Sequence, residues 1–228
     1  MTDDPRDRRP IPARRLSVVK RTARALTDAG ITPNQISIFG LGAALASGLC
    51  LALTSYFRFS ADFLARALFL ASAFLIVLRG LSNMFDGMVA VEQGRGTPTG
   101  ALYNEVPDRF SDVAIFVGAG YAVGSATELG YAAALTALLV AFVRVAARAA
   151  GAPSDFGGLM AKQQRMFSVA AVAAYLALAP EAWRPGFGPE RSLGLVGLVL
   201  LLIVLGGIPT IIGRLRRATR WLERHEPI

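Results

Sequence analysis

The chain has one cysteine and one histidine among 228 residues, and each scarcity removes a class of chemistry. Cys50 stands alone inside an apolar run, so an intramolecular disulfide and a cysteine zinc site are both excluded and a packing role is expected. His225 lies near the C-terminus and reads as a solvated tail residue, which argues against a histidine general base. The N-terminus is charged through residue 15 and lacks an apolar stretch closed by small residues, so no cleavable signal is expected and the first apolar segment should be retained. Acids are outnumbered, 16 against 24 Lys and Arg, for a net charge of +8. These bases flank apolar runs instead of forming one aromatic-studded patch, so membrane phosphates are the expected partner and nucleic acid is not.

Long apolar runs are what the chain has in quantity. Apolar residues make up 54% of it and the mean hydropathy is +0.47, too high for a typical soluble domain of this length. Six segments, at 36–55, 64–82, 109–127, 130–150, 166–182 and 193–213, approach the ~20 residues a bilayer core requires. The fifth is the shortest. The expected fold is all-α, a polytopic bundle of six transmembrane helices. Leu16, Val19, Ala23 and Leu26 recur at helical spacing with Arg15, Lys20, Arg21 and Arg24 elsewhere around the helix, which predicts an N-terminal amphipathic surface helix on an anionic leaflet.

Basic residues orient this bundle. Arg6, Arg8, Arg9, Arg14, Arg15, Lys20, Arg21 and Arg24 precede the first segment, and Arg214, Arg216, Arg217, Arg220 and Arg224 follow the last. Both termini are therefore expected in the cytoplasm of a multi-pass cell (inner) membrane protein. The turn at 83–108 and the connection at 144–165 then fall on the same side, while Arg184 and Arg191 weaken the bias on the other. The organisation expected is a cytoplasmic arm at 1–31, a six-helix transmembrane domain at 32–213 and a basic cytoplasmic tail at 214–228.

Chemistry concentrates between Asn83 and Asp112. Asn83 and Asp86 are three apart, and Asn104, Asp108 and Asp112 follow at intervals of four, so each set lies along one helix face. Gly87, Gly94, Gly96 and Gly100 with Pro98 predict a glycine-rich turn between two helices, where backbone can approach a ligand closely. Ionisable groups beside membrane-length apolar runs are favoured only when they pair, face water or hold a cation. Oxygen donors without imidazole or thiolate suit a hard ion, Mg2+ or Mn2+.

The same segment resembles the CDP-alcohol phosphotransferases, whose signature reads Asp-x2-Asp-Gly-x2-Ala-Arg-x8-Gly-x3-Asp-x3-Asp. Asn83, Asp86, Gly87, Ala90, Val91, Gly100, Asn104 and Asp108 fall on the eight named positions without a gap, five of them identical, and Thr97 sits where many members carry threonine. The continuation Asp108-Arg109-Phe110-Ser111-Asp112 and the stretch Thr32-Pro33-Asn34-Gln35-Ile36-Ser37 are also similar to the family. Together these matches cover the first half of the chain.

The resemblance implies a membrane-embedded transferase that moves a phosphatidyl group from CDP-diacylglycerol, or another CDP-alcohol, to a small polar alcohol with release of CMP, in phospholipid biosynthesis. It implies a divalent-metal dependence on Mg2+ or Mn2+, with Asn83, Asp86 and Asn104 nearest the ion and Asp108 as the base. Asp112 is a further candidate ligand. Pro33, Asn34, Gly87, Ala90, Thr97 and Gly100 are expected around the nucleotide and diphosphate. Arg95, Arg144, Arg148, Lys162 and Arg165 are candidates for a phosphate on the acceptor, although positive-inside topology also explains several of them. A homodimer is implied by the family and by no residue of this chain.

Three positions depart from the signature. Asn83 and Asn104 replace acids, removing two negative charges while keeping a carbonyl oxygen each, and Val91 replaces arginine. The alternatives are a catalytically degenerate CDP-lipid-binding member and, in another class, a small ion transporter using Asp86 and Asp108.

Overall fold

The computed structural model describes residues 16–57, 62–94, 98–187 and 193–225. Within them the chain is nearly all helical. Seven α-helices run α1 Ser17–Asp28, α2 Pro33–Phe57, α3 Asp62–Glu92, α4 Pro98–Gly120, α5 Thr127–Ala149, α6 Lys162–Leu178 and α7 Leu195–His225. One feature departs from an all-α fold: a 3-10 turn at Glu181–Trp183 leads into β1 Gly186–Phe187 and β2 Leu193–Gly194, a two-residue antiparallel pair.

Helices α2, α3, α5 and α7 are long and apolar enough to cross a membrane. Helix α4 carries Glu105, Asp108, Arg109 and Asp112, and α6 has only 17 residues; charge holds the first, and length the second, below the ordinary composition of a span. The core joins α2 to α7 through Leu51, Phe69, Ile76, Phe116, Ala137, Ala173 and Leu200, all buried.

Local chemistry sets the helix starts. Thr32 and Gln35 form a reciprocal cap on α2, the Thr32 amide donating to Gln35 Oε1 at 2.9 Å and the Gln35 amide to Thr32 Oγ1 at 3.3 Å. Pro33 occupies the first helical position, where its missing N–H has no partner to lose.

The glycines between the predicted helices behave differently from the expected turn. Gly87 lies inside α3 and Gly100 inside α4, leaving a short link in which Gly94 takes a positive φ of 61°. A helix interior tolerates a glycine at about 1 kcal/mol, a small cost for a helix of 31 residues. Gly48 and Gly118 mark where α2 and α4 approach most closely: a Cβ on Gly48 would strike the Ala114 carbonyl, and one on Gly118 the Gly48 backbone. Gly40 packs against Ser82, whereas Gly42 faces open space.

Candidate active site

The N-terminal ends of α2, α4 and α6 meet the C-terminal end of α3, and this end of the bundle carries the buried charge. A cleft is lined by Ser37 and Gly40 of α2, Arg79, Ser82, Asn83 and Asp86 of α3, and Pro107 and Asp108 of α4. Asn83, Asp86 and Asp108 of the expected set thus line one cleft. Pro107 deprives α4 of a backbone donor one residue before Asp108.

Each carboxylate is held differently. Asp86 accepts from the Ser37 hydroxyl at 2.8 Å and from the Gly87 amide at 2.6 Å. Asp108 accepts from Arg79 on one oxygen and pairs with the Lys162 ammonium through the other. In the amide orientation that its hydrogen bonds require, Asn83 Nδ2 also donates to Asp108 Oδ1, at 2.9 Å. Asp112, one turn further along α4, pairs with Arg165 at 3.2 Å, both side chains 1% exposed. Arg165 is anchored in addition by the Met160 carbonyl at 2.7 Å.

The remaining expected residues are distributed around this centre. Asn104 is half-buried on α4 and Asp112 sits behind Asp108, neither lining the cleft. Pro33 and Asn34 open α2 at the same end of the bundle, and Ala90 follows Asp86 by one turn of α3. Arg144 binds both oxygens of Glu105 at 2.8 and 2.7 Å, and Arg109 binds Glu105 at 2.5 Å. Arg148 is exposed. Arg95 and Thr97 lie outside the described residues.

Arg79, Ser37 and Ser82 are site residues that motif spacing passes over. Arg79 had a signal: an arginine well inside the apolar run 64–82, four residues before Asn83 and seven before Asp86, hence on their face of the helix.

The donor chemistry bears on whether a metal fits. Among the described residues no three His, Cys, Asp or Glu side chains gather closely enough to hold an ion, so a complete protein cage is absent there. Asp86 with the Asn83 amide and Asp108 instead form the partial oxygen set that Mg2+ accepts when ligand phosphates and water complete its shell.

Fold and site first define a class, a polytopic helical membrane protein with a charged, oxygen-lined cleft at one end of its bundle. The chain belongs to the CDP-alcohol phosphotransferase family. Phosphatidylinositol phosphate synthase of Mycobacterium marinum is 31% identical over 174 residues, 74% of this chain and 69% of that one. The enzyme of the same name from Mycobacteroides abscessus is 32% identical over 160 residues, 67% of this chain and 66% of that one. The chain therefore spans about two thirds of the length of these curated relatives. No family model matches the chain. In three dimensions it is similar to Mycobacterium tuberculosis phosphatidylinositol phosphate synthase in complex with manganese and citrate, with a TM-score of 0.68 at 23% identity over 88% of both chains. The same enzyme with CDP-DAG bound gives a TM-score of 0.67 at 22% identity, over 89% of this chain and 94% of that one.

Proposed function

We propose that this chain transfers a phosphatidyl group from CDP-diacylglycerol, or another CDP-alcohol, to the hydroxyl of a small polar alcohol, releasing CMP in phospholipid biosynthesis. The observation that carries the reading is the shared cleft of Asp86 and Asp108, which lie on different helices. The names of the relatives support a phosphorylated inositol as acceptor. The acceptor oxygen bonds to the phosphorus that carries diacylglycerol, the phosphorus–oxygen bond to CMP breaks, and the hydroxyl proton passes to a carboxylate. Asp108 is the residue we assign to that role, its position fixed by Arg79, Lys162 and Asn83.

Mg2+ or Mn2+ bound with the donor would neutralise the charge that grows on the departing phosphate. Asn83, Asp86 and Asp108 are its nearest proposed ligands, with Asn104 and Asp112 one turn to either side of Asp108 on α4. Pro33, Asn34, Gly87, Ala90, Thr97 and Gly100 are proposed around the nucleotide. An acceptor phosphate is proposed towards Arg144 and Arg148, with Arg95, Lys162 and Arg165 as further candidates. The remaining proposals are six crossings of the inner membrane, both termini cytoplasmic, α1 lying on the leaflet within an arm at 1–31, a catalytic bundle at 32–213, a basic tail at 214–228, and a homodimer.

Purified protein given labelled CDP-diacylglycerol, Mg2+ or Mn2+ and a panel of polyol phosphates and serine should release CMP and form one new lipid headgroup. Asp86→Asn should lower that rate by about 10²- to 10³-fold, the scale of losing one preorganised electrostatic group. Absence of metal-dependent CMP release across the panel would overturn the reading. A second reading, a member that binds the donor without turnover, is favoured by the engagement of both Asp108 oxygens and by Asn83 and Asn104. In that case wild type is inert and Asn83→Asp with Asn104→Asp creates activity.

A further inference from the structure

We propose that Arg79 is a donor-binding residue: its guanidinium, which donates to Asp108 in the structure, turns to the phosphate that carries the diacylglycerol when the CDP-linked donor binds. This rests on the reading that the cleft takes that donor and that Asp108 is the base.

Arg79 is the one basic side chain among the described residues that line the cleft, and it is only 4% exposed. Half of its fork is in use. Nη2 donates to Asp108 Oδ1, while Nε is buried with no hydrogen-bond partner among the described residues. Nε and Nη2 form one planar edge that matches two oxygens of a phosphate, so a phosphoryl group would satisfy both donors where Asp108 satisfies one. A buried donor left unpaired carries a desolvation penalty, and such a ligand removes it.

Asp108 does not depend on Arg79 alone. Lys162 pairs with its other oxygen, and the Asn83 amide donates to Oδ1 itself, so the carboxylate stays partnered when the guanidinium turns away. The reach is short. A base lies about 3 Å from the hydroxyl it deprotonates and that hydroxyl about 3–3.5 Å from the phosphorus it attacks, which puts the reacting phosphate roughly 6 Å from Asp108. That is within a side-chain rotation of a guanidinium already bonded to Asp108, and the phosphate on the cytidine side lies one bridging oxygen further. Helix α3 offers the cleft no substitute: Val91, at the signature's arginine, is exposed and apolar, and Arg66 pairs with Asp62 at the other end of the helix.

CDP and CMP, titrated calorimetrically into the full chain in nanodiscs at one fixed Mg2+ concentration, test this, because CDP carries the distal phosphate and CMP lacks it. Arg79→Met should weaken CDP binding about ten- to hundredfold, the scale of one hydrogen-bonded contact to a charged group, and leave CMP binding as in wild type, which also reports an intact fold. CDP affinity unchanged in Arg79→Met, or lowered only as far as that of CMP, would overturn the proposal and leave the functional reading intact. Should Arg79→Met bind neither nucleotide because it fails to fold, Arg79→Lys decides, since lysine keeps the charge and loses the fork: CDP weakened about threefold or more with CMP unchanged supports the proposal, and wild-type CDP affinity overturns it. Wild type that binds neither CDP nor CMP would overturn both readings.

Discussion

At the scale of single residues, the site is governed by which base each acid meets. Asp108 pairs with Arg79 across 29 positions and Asp112 with Arg165 across 53. Spacing along one helix reveals that Asp108 and Asp112 share a face, but contains nothing about a partner on another helix. The acids were therefore legible and their counter-ions were not, apart from the out-of-place Arg79. The Asp112–Arg165 pair yields a stability prediction. Arg165→Met strands a buried carboxylate and should cost about 3–5 kcal/mol, seen as a lowered Tm in detergent. Adding Asp112→Leu should recover most of the loss, since a buried ion pair replaced on both sides by apolar groups is often neutral. An unchanged Tm for the single variant would show that the pair contributes little.

At the scale of elements, apolar length located the helices and glycine misplaced their ends. Gly87 and Gly100 point to a turn because glycine weakens an isolated helix, yet packing carries α3 through to Glu92 and starts α4 at Pro98. The same physics separates Gly48 from Gly42. At Gly48 the obstacle is the backbone of α4, which no rotamer change can relieve. Gly48→Val should therefore push α2 from α4 and destabilise by about 1–3 kcal/mol, as overpacking does. Gly42→Ala, with open space at its Cβ, should match wild type or melt higher. Equal melting of the two variants would contradict close α2–α4 packing.

At the scale of the whole molecule, the paired end of the bundle predicts its sidedness. Arg79, Arg144, Lys162, Arg165 and Arg214 all make their contacts in the half of the bundle that holds the cleft, whereas Glu128 begins α5 at the other end. With Cys50→Ser as background, Ser17→Cys and Glu223→Cys should react with an impermeant maleimide only from the cytoplasmic face, and Glu128→Cys only from the opposite face. Labelling of the two ends from different sides would remove the even number of crossings. Sequence by itself determined the membrane class, the helical content and the presence of acids at motif spacing, because hydropathy and helical period are local properties that each stretch carries with it. Only the tertiary structure decided that Asp86 and Asp108 share a cleft, that Arg79 and Lys162 flank Asp108, and that Asp112 turns to Arg165. Those facts depend on which helix ends meet, and close packing of α2 on α4 and the burial of paired charge settle that jointly across the chain.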